Sequence, residues 1–242
     1  MIAATYLNRR HELMDEERPR FRDRIDAGRQ LTERLRAYQS AETVVLAVPR
    51  GGVPVAVEVA QSLNAPLDVV VTRKIPIPQN PEAGYGAVAE DGSIFLNDVL
   101  VSQLGLSQRQ IGFQAEEVLA EIKRRSALYR SKLPRVSLAD KTAIVIDDGL
   151  ASGFTMVAAV KSVGRQKAAR IVVASPAASG NAYELVKPMC DALVCIVVSH
   201  SYPFAVASFY HHWHDLTDEE ISNYLRSWHA GNKNDEGKGL SP

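Results

Sequence analysis

The 242-residue chain is 46% hydrophobic and 23% charged, with Lys plus Arg and Asp plus Glu both totalling 28, so its formal net charge is zero. That length and balance suit one soluble α/β domain with terminal additions, or at most two small domains, and offer no bulk charge for holding nucleic acid or a membrane surface. No apolar run approaches the ~20 residues of a membrane span, the N-terminal MIAATYLNRRHELMDEERPR lacks a signal-peptide core, and Cys190 and Cys195 read as small core residues of a reducing compartment, which implies a cytoplasmic home.

Residues 1–20 are polar and charged and read as a segment of low order. Phe21, Ile25, Leu31, Leu35 and Tyr38 then form a helical stripe. A strand at Val44–Val48 enters the Arg50-Gly51-Gly52 turn, the helix behind it covers Val53–Leu63, and Leu67–Thr72 is the next strand. Residues 74–87, with Pro76, Pro78, Pro81, Gly84 and Gly86, read as a loop that could serve as a mobile lid, followed by the strand-like GAVAE. Ser93–Leu96 can pair back across the Asp91-Gly92 turn. Ser107 to about Arg130 is a long amphipathic helix, with Ser107 and Gln110 at capping-box spacing. Its basic Lys123, Arg124 and Arg125 sit among Glu116, Glu117 and Glu121 and read as a solvated, paired face. The alternation continues through strand Thr142–Ile146, helix Thr155–Val163, strand Arg170–Ala174, helix Ser179–Val186, strand Ala192–Val198 and helix Asp218–Trp228, and ends in a tail, 229–242, of disordered composition. Such a pattern predicts one α/β domain over residues 21–228, a single Rossmann-like parallel sheet with flanking helices.

The densest chemistry lies in TAIVIDDGLASGFTM. Thr142–Ile146 is an apolar run without alternation, as in a parallel strand buried on both faces. It ends in Asp147 and Asp148, and a small-residue loop leads into a helix. Ligands in open α/β sheets bind at the carboxyl ends of strands. Backbone N–H groups of such a loop and the helix N-terminus suit a phosphate, whereas the acids suit ribose hydroxyls or a magnesium ion reached directly or through water. Phosphate, diol and metal in one turn describe a phosphorylated ribose. Either acid could instead cap the helix alone, and Ser152 and Thr155 could cap as well as bind, because both tasks use the same N–H groups.

This stretch resembles the PRPP motif of the type I phosphoribosyltransferases (PRPP is 5-phosphoribosyl 1-diphosphate). In that likeness Asp147 and Asp148 are the paired acids, and Ala151, Ser152, Gly153, Phe154 and Thr155 form the phosphate loop. Ser152 stands where Thr is typical and Phe154 where a smaller residue or Lys is usual. Ala151 replaces the aspartate of hypoxanthine-guanine enzymes, which makes the motif closer to the adenine type. VVLAVPRGGVPVAVEVA, with Arg50, Gly51 and Gly52, is similar to the diphosphate loop. VVVTRKIP ends a strand in Arg73-Lys74 as adenine enzymes do, and NPEAGYGAVAEDG is similar to the flexible-loop region. With FRDRIDAGRQL near the start, the pattern closely resembles a bacterial group of phosphoribosyltransferases of unassigned acceptor, over roughly Phe21 to Leu225.

The resemblance implies the phosphoribosyltransferase type I fold with a small hood from the terminal segments, an enzyme of nucleotide metabolism, a Mg2+ cofactor, PRPP as substrate, a nitrogenous acceptor and a homodimer. Asp147, Asp148, Arg73 and Lys74 would be catalytic. Arg50, Gly51, Gly52 and the loop Ala151–Thr155 would bind substrate, and Asp147 and Asp148 would face magnesium. A non-catalytic PRPP or nucleotide-binding regulator on the same fold is the alternative, and a variant using water as acceptor a third. Glu82, Glu90 and Asp91 are positional candidates for an acceptor-side base, each more simply an ordinary loop acid. The His211–His214 cluster, with Asp215 nearby, lacks a third ligand motif. The aromatic stretch from Tyr202 to Trp213 could stack on a base but suits core or dimer packing better. Gly84-x-Gly86-x-x-Ala89 lacks the strand-turn-helix setting of a dinucleotide site.

Overall fold

The computed structural model describes residues 19–236 except Gln79, Lys132 and Pro134. Helix α1 covers Arg24–Leu35, β1 Thr43–Ala47, α2 Gly52–Leu63, β2 Leu67–Val69, β3 Thr72–Ile77, β4 Asn80–Ala89, β5 Ile94–Leu96, α3 Asp98–Gln103 and α4 Gln108–Arg130. Then come β6 Thr142–Ile146, α5 Phe154–Arg165, β7 Arg170–Ser179, α6 Gly180–Val186, β8 Ala192–Ser199 and α7 Asp218–Glu236.

Five parallel strands form the central sheet in the order β2-β1-β6-β7-β8. Side chains alternate across it, and both faces are apolar. Val45, Ala47, Ile144 and Ile146 enter the core under α2, α4 and α7, while Val44, Leu46, Ala143 and Val145 enter the core under α5 and α6. This two-sided burial is why the strands read as unbroken apolar runs. Strand β1 pairs with β6 in register, Ala47 opposite Ile146, so their C-terminal turns emerge side by side. From there the chain leaves β1 toward β2 and β6 toward β7, in opposite directions. That makes the β1–β6 boundary the topological switch point of the sheet.

The described residues of 74–87 are mostly strand and not loop. Strands β3, β4 and β5 form a separate antiparallel sheet, with β5 folding back onto β4 across Asp91-Gly92 as expected. The prolines are tolerated because the β3–β4 register shifts around Pro76, and bulges and strand ends need no ladder donor there. Helix α7 also runs to Glu236, beyond the expected start of the tail. Gly231 costs a helix interior about 1 kcal/mol relative to Ala, which does not stop it. The expected segment 1–20 lies outside the described residues except for its last two, as does the tail beyond Glu236.

The terminal segments meet against β7 and β8. Phe21 bridges to Tyr210, its N–H donates to Phe209 O at 2.9 Å, and the two rings lie 5.4 Å apart. Phe21, Ala27, Ala177, Phe209 and Tyr210 form a third apolar cluster. Cys190 and Cys195 are free, half-buried thiols beside the core under α5 and α6, and burial pushes Cys195 up to about 12. Because Phe21 is fully buried between the two ends of the chain, Phe21→Ala should destabilise the fold by about 3–5 kcal/mol, seen as a lower urea midpoint with an unchanged m-value.

Candidate active site at the β1–β6 switch point

Two turns converge here. Gly51 and Gly52 of the first lie so close to the second that a β-carbon on Gly51 would overlap the Asp148 carboxylate, and one on Gly52 would meet Ile146 O at 2.5 Å. In the second turn Gly153 adopts φ +80°, a left-handed conformation that lets the loop swing directly into α5.

Side-chain capping separates these two helices from several others. Helices α1, α3, α4 and α6 are capped by Asp23, Asn97, Ser107 and Ser179, each accepting from a first-turn N–H. Helices α2 and α5, which begin at the two converging turns, have no side-chain cap. In α5 the first-turn N–H groups are therefore left for a ligand or solvent. In α2 the Gly52 and Val53 N–H groups donate to Val48 O and Arg50 O, and Pro54 has no N–H to offer. The loop before α5 is held from behind. Leu150 exchanges backbone hydrogen bonds with Ala177 and Ser179, and the Ser179 hydroxyl donates to Ala151 O at 2.7 Å. Ala151 and Ser152 are exposed and Thr155 is half-buried. The half-buried Phe154 turns its ring toward Phe95 of β5, with centroids 6.2 Å apart. The ring thus packs on the antiparallel sheet.

The two acids have unequal surroundings. Asp148 is buried and accepts from Arg24 Nε at 2.7 Å. Arg24 in turn lies 3.8 Å from the centre of the Trp213 ring and donates through Nη1 to His214 O at 3.0 Å. The Tyr210 hydroxyl donates to Asp148 O at 2.6 Å. Asp147 accepts from the Asp148 N–H at 2.8 Å. Although its surface is only partly covered, protein atoms crowd its carboxylate, and burial followed by the charge of Asp148 raises its pKa well above the usual carboxylate range. Among the described residues, Arg24 is the cation that serves both acids.

The remaining expected residues divide. Arg50 turns away from the acids, with Nη1 4.0 Å from Asp218 Oδ1 at the start of α7. Arg73 and Lys74, as strand neighbours, point to opposite faces of β3. Arg73 faces α4, with Nη1 3.7 Å from Glu121, and burial together with nearby Arg125 lowers its pKa. Lys74 shares its face with Thr72, whose hydroxyl donates to Thr155 O at 3.3 Å.

Glu90 accepts from Ser126 and Arg135, both at 2.6 Å, and Asp91 from Arg165 at 2.9 Å, beside β2 and the C-terminal half of α5. Both are structural acids there. The side chain of Glu82 is outside the described set. Among the described residues no group of three His, Cys, Asp or Glu could hold a metal. His214 Nε2 lies 2.9 Å from Glu220 Oε1 at the first turn of α7. Sequence reasoning missed Arg24, Trp213 and Tyr210 as neighbours of the acids, and Arg124 and Arg125 as neighbours of Arg50 and Arg73.

The family model described as phosphoribosyl transferase domain matches residues 22–211. Two Mycobacterium tuberculosis proteins, from strains CDC 1551 and H37Rv, carry a provisional name as phosphoribosyl transferases. Each is 38% identical over 209 residues, or 86% of this chain and 47% of the relative, so the chain spans about half the length of those relatives. The crystal structure of TT1426 from Thermus thermophilus superposes with a TM-score of 0.72 at 36% identity, covering 86% of this chain and 99% of that one.

A raised native pKa means that folded Asp147 keeps a proton the unfolded chain releases above about pH 4. The ligand-free protein should therefore lose stability as pH rises from there through the raised value. Asp147→Asn should flatten that loss and unfold at higher denaturant than the parent at pH 7. Arg24→Met should act oppositely, stranding Asp148 and costing about 3–5 kcal/mol. Phe154→Ala should leave phosphate affinity equal or better, because the ring packs on Phe95; calorimetry with ribose 5-phosphate checks this.

Proposed function

Since the chain belongs to the phosphoribosyl transferase family, we propose that it binds PRPP with magnesium and transfers the phosphoribosyl group to a nitrogenous acceptor, releasing diphosphate. The observation that carries this reading is the meeting of a glycine turn and the uncapped N-terminus of α5 at a tandem acid pair, at the switch point of a parallel sheet.

In this reading the N–H groups from Ala151 to Thr155, with the Ser152 and Thr155 hydroxyls, hold the 5-phosphate. The Arg50-Gly51-Gly52 turn brings its Arg50 and Gly51 amides to the diphosphate, the Gly52 N–H being held by Val48 O, with Arg73 as added charge. Lys74 serves the face toward the phosphate loop. Asp147 and Asp148 receive the ribose hydroxyls, and Arg24 fixes Asp148 in place. A bond forms from the acceptor nitrogen to the anomeric carbon as the bond from that carbon to the diphosphate oxygen breaks, the electron pair leaving with diphosphate and the acceptor's N–H proton passing to solvent. The chain's contribution is to position the ribose and stabilise charge on the leaving group.

Magnesium fits the donor set. Two adjacent carboxylates share a single arginine, and a hard divalent ion needs only one or two protein carboxylates when ligand phosphates and water complete its shell. When bound, the ion would neutralise developing charge on the diphosphate. Asp147 is the acid without a direct arginine bond and is the better candidate to face it. Val99, Leu104 and Phe113 are exposed apolar side chains that the expected homodimer would have to draw on. No helix among the described residues is long and apolar enough to cross a membrane.

The regulatory reading draws on a different observation. Glu90 and Asp91, offered as acceptor-side bases, are both held in ion pairs away from the turn, which suits a protein that binds PRPP without turning it over. Diphosphate release measured with PRPP, magnesium and a panel of purine and pyrimidine bases separates the two. Turnover with at least one base, falling about a hundredfold or more in Asp147→Asn, is expected. PRPP binding without release for any base would support the regulator instead. Asp147→Asn is the cleaner variant, because Asp148→Asn would leave Arg24 buried without its partner.

A further inference from the structure

Four arginines from three parts of the chain gather beside the first turn. Arg50 follows β1, Arg73 lies on β3, and Arg124 and Arg125 lie on α4. They share two carboxylates. Glu121 accepts from Arg124 Nε at 2.8 Å and Arg125 Nε at 2.8 Å, with Arg73 at 3.7 Å. Asp218 accepts from Arg124 Nη2 and the Tyr129 hydroxyl, both at 2.8 Å, with Arg125 at 3.7 Å and Arg50 at 4.0 Å. Among the described residues, four guanidinium charges against two carboxylates leave a surplus of two positive charges.

That surplus has a physical cost. Like charges held together in partly covered surroundings repel, and the lowered pKa of Arg73 records both the burial and the neighbouring Arg125 and Arg50. Arginine pairs and hydrogen bonds pull Glu121 down to about 2, so it stays ionised across the whole working range. The arrangement is a set of planar donor forks already facing anions, the geometry that suits phosphate oxygens. Arg50 ties it to the active-site turn. The backbone of that turn abuts Asp147 and Asp148, while the Arg50 side chain reaches Asp218.

We infer that Arg124 and Arg125, with Arg50 and Arg73, complete a seat for the diphosphate end of the ligand, and that Glu121 and Asp218 are resident anions which the ligand displaces. This assignment rests on the phosphoribosyl site proposed above. Arg124 and Arg125 then act as charge-stabilising residues supplied by a helix outside the family's recognisable motifs. Glu121 lowers affinity by competing for the same forks.

Calorimetric titration of the full chain with inorganic pyrophosphate, PRPP and ribose 5-phosphate tests it. Arg124→Gln with Arg125→Gln should weaken pyrophosphate and PRPP about tenfold or more while ribose 5-phosphate, which lacks the diphosphate, binds as before. Glu121→Gln should move the other way, binding pyrophosphate several-fold tighter, a gain that a damaged fold does not produce. Unchanged pyrophosphate affinity in the arginine variant, a parallel loss of ribose 5-phosphate, or no gain in Glu121→Gln overturns the assignment. PRPP binding that ignores both arginines would remove the seat and leave the phosphoribosyl site standing. Arginine-dependent pyrophosphate binding without PRPP binding would do the reverse, and a parent protein that binds neither would end both.

Discussion

Parallel pairing of β1 with β6 is the constraint on which the rest of the molecule depends. Ala47 opposite Ile146 brings two strand ends level, and the chain then departs on opposite faces through α2 and α5. A turn rich in glycine can thereby lie against a turn rich in acid, with too little room between them for a β-carbon. Helix α5 starts there without a side-chain cap, so its first N–H groups remain available beside the acids, while those of α2 are held by Val48 O and Arg50 O.

Around this junction the protein accepts electrostatic cost. Asp147 sits beside a like charge in crowded surroundings, and four arginines divide two carboxylates. Each arrangement is poorly balanced alone and better balanced with a bound ligand of opposite or complementary charge, a pattern more in keeping with a binding site than with stability. Burial elsewhere is conventional. The sheet is apolar on both faces and most other ion pairs are peripheral.

Much of this was legible in the sequence because its signals are local. Thr142–Ile146 occupies the limits its apolar run implies, the Ser107–Gln110 capping box starts α4, and the small-residue loop after Asp148 does lead into a helix. What was not legible depends on contacts distant along the chain. Arg24 lies 124 residues from Asp148, and no spacing rule connects them. Arg124 and Arg125 do pair with Glu121 on their own helix, which is why they read as a solvated face, but they also reach Asp218 on α7. Residues 74–87 misled through composition, since their prolines fall at strand ends and a register shift rather than in a loop. The alternation of Arg73 and Lys74 across β3 follows from strand geometry, yet it could be used only once that segment was known to be a strand.

The central claim is that the β1–β6 junction is a phosphoribosyl site completed by a divalent ion. Calorimetric titration of the unaltered protein with PRPP, with and without magnesium, tests it most directly. The account predicts saturable one-site binding that strengthens markedly when magnesium is present. Absence of PRPP binding under both conditions would contradict it, and the junction would then have to serve some other anion.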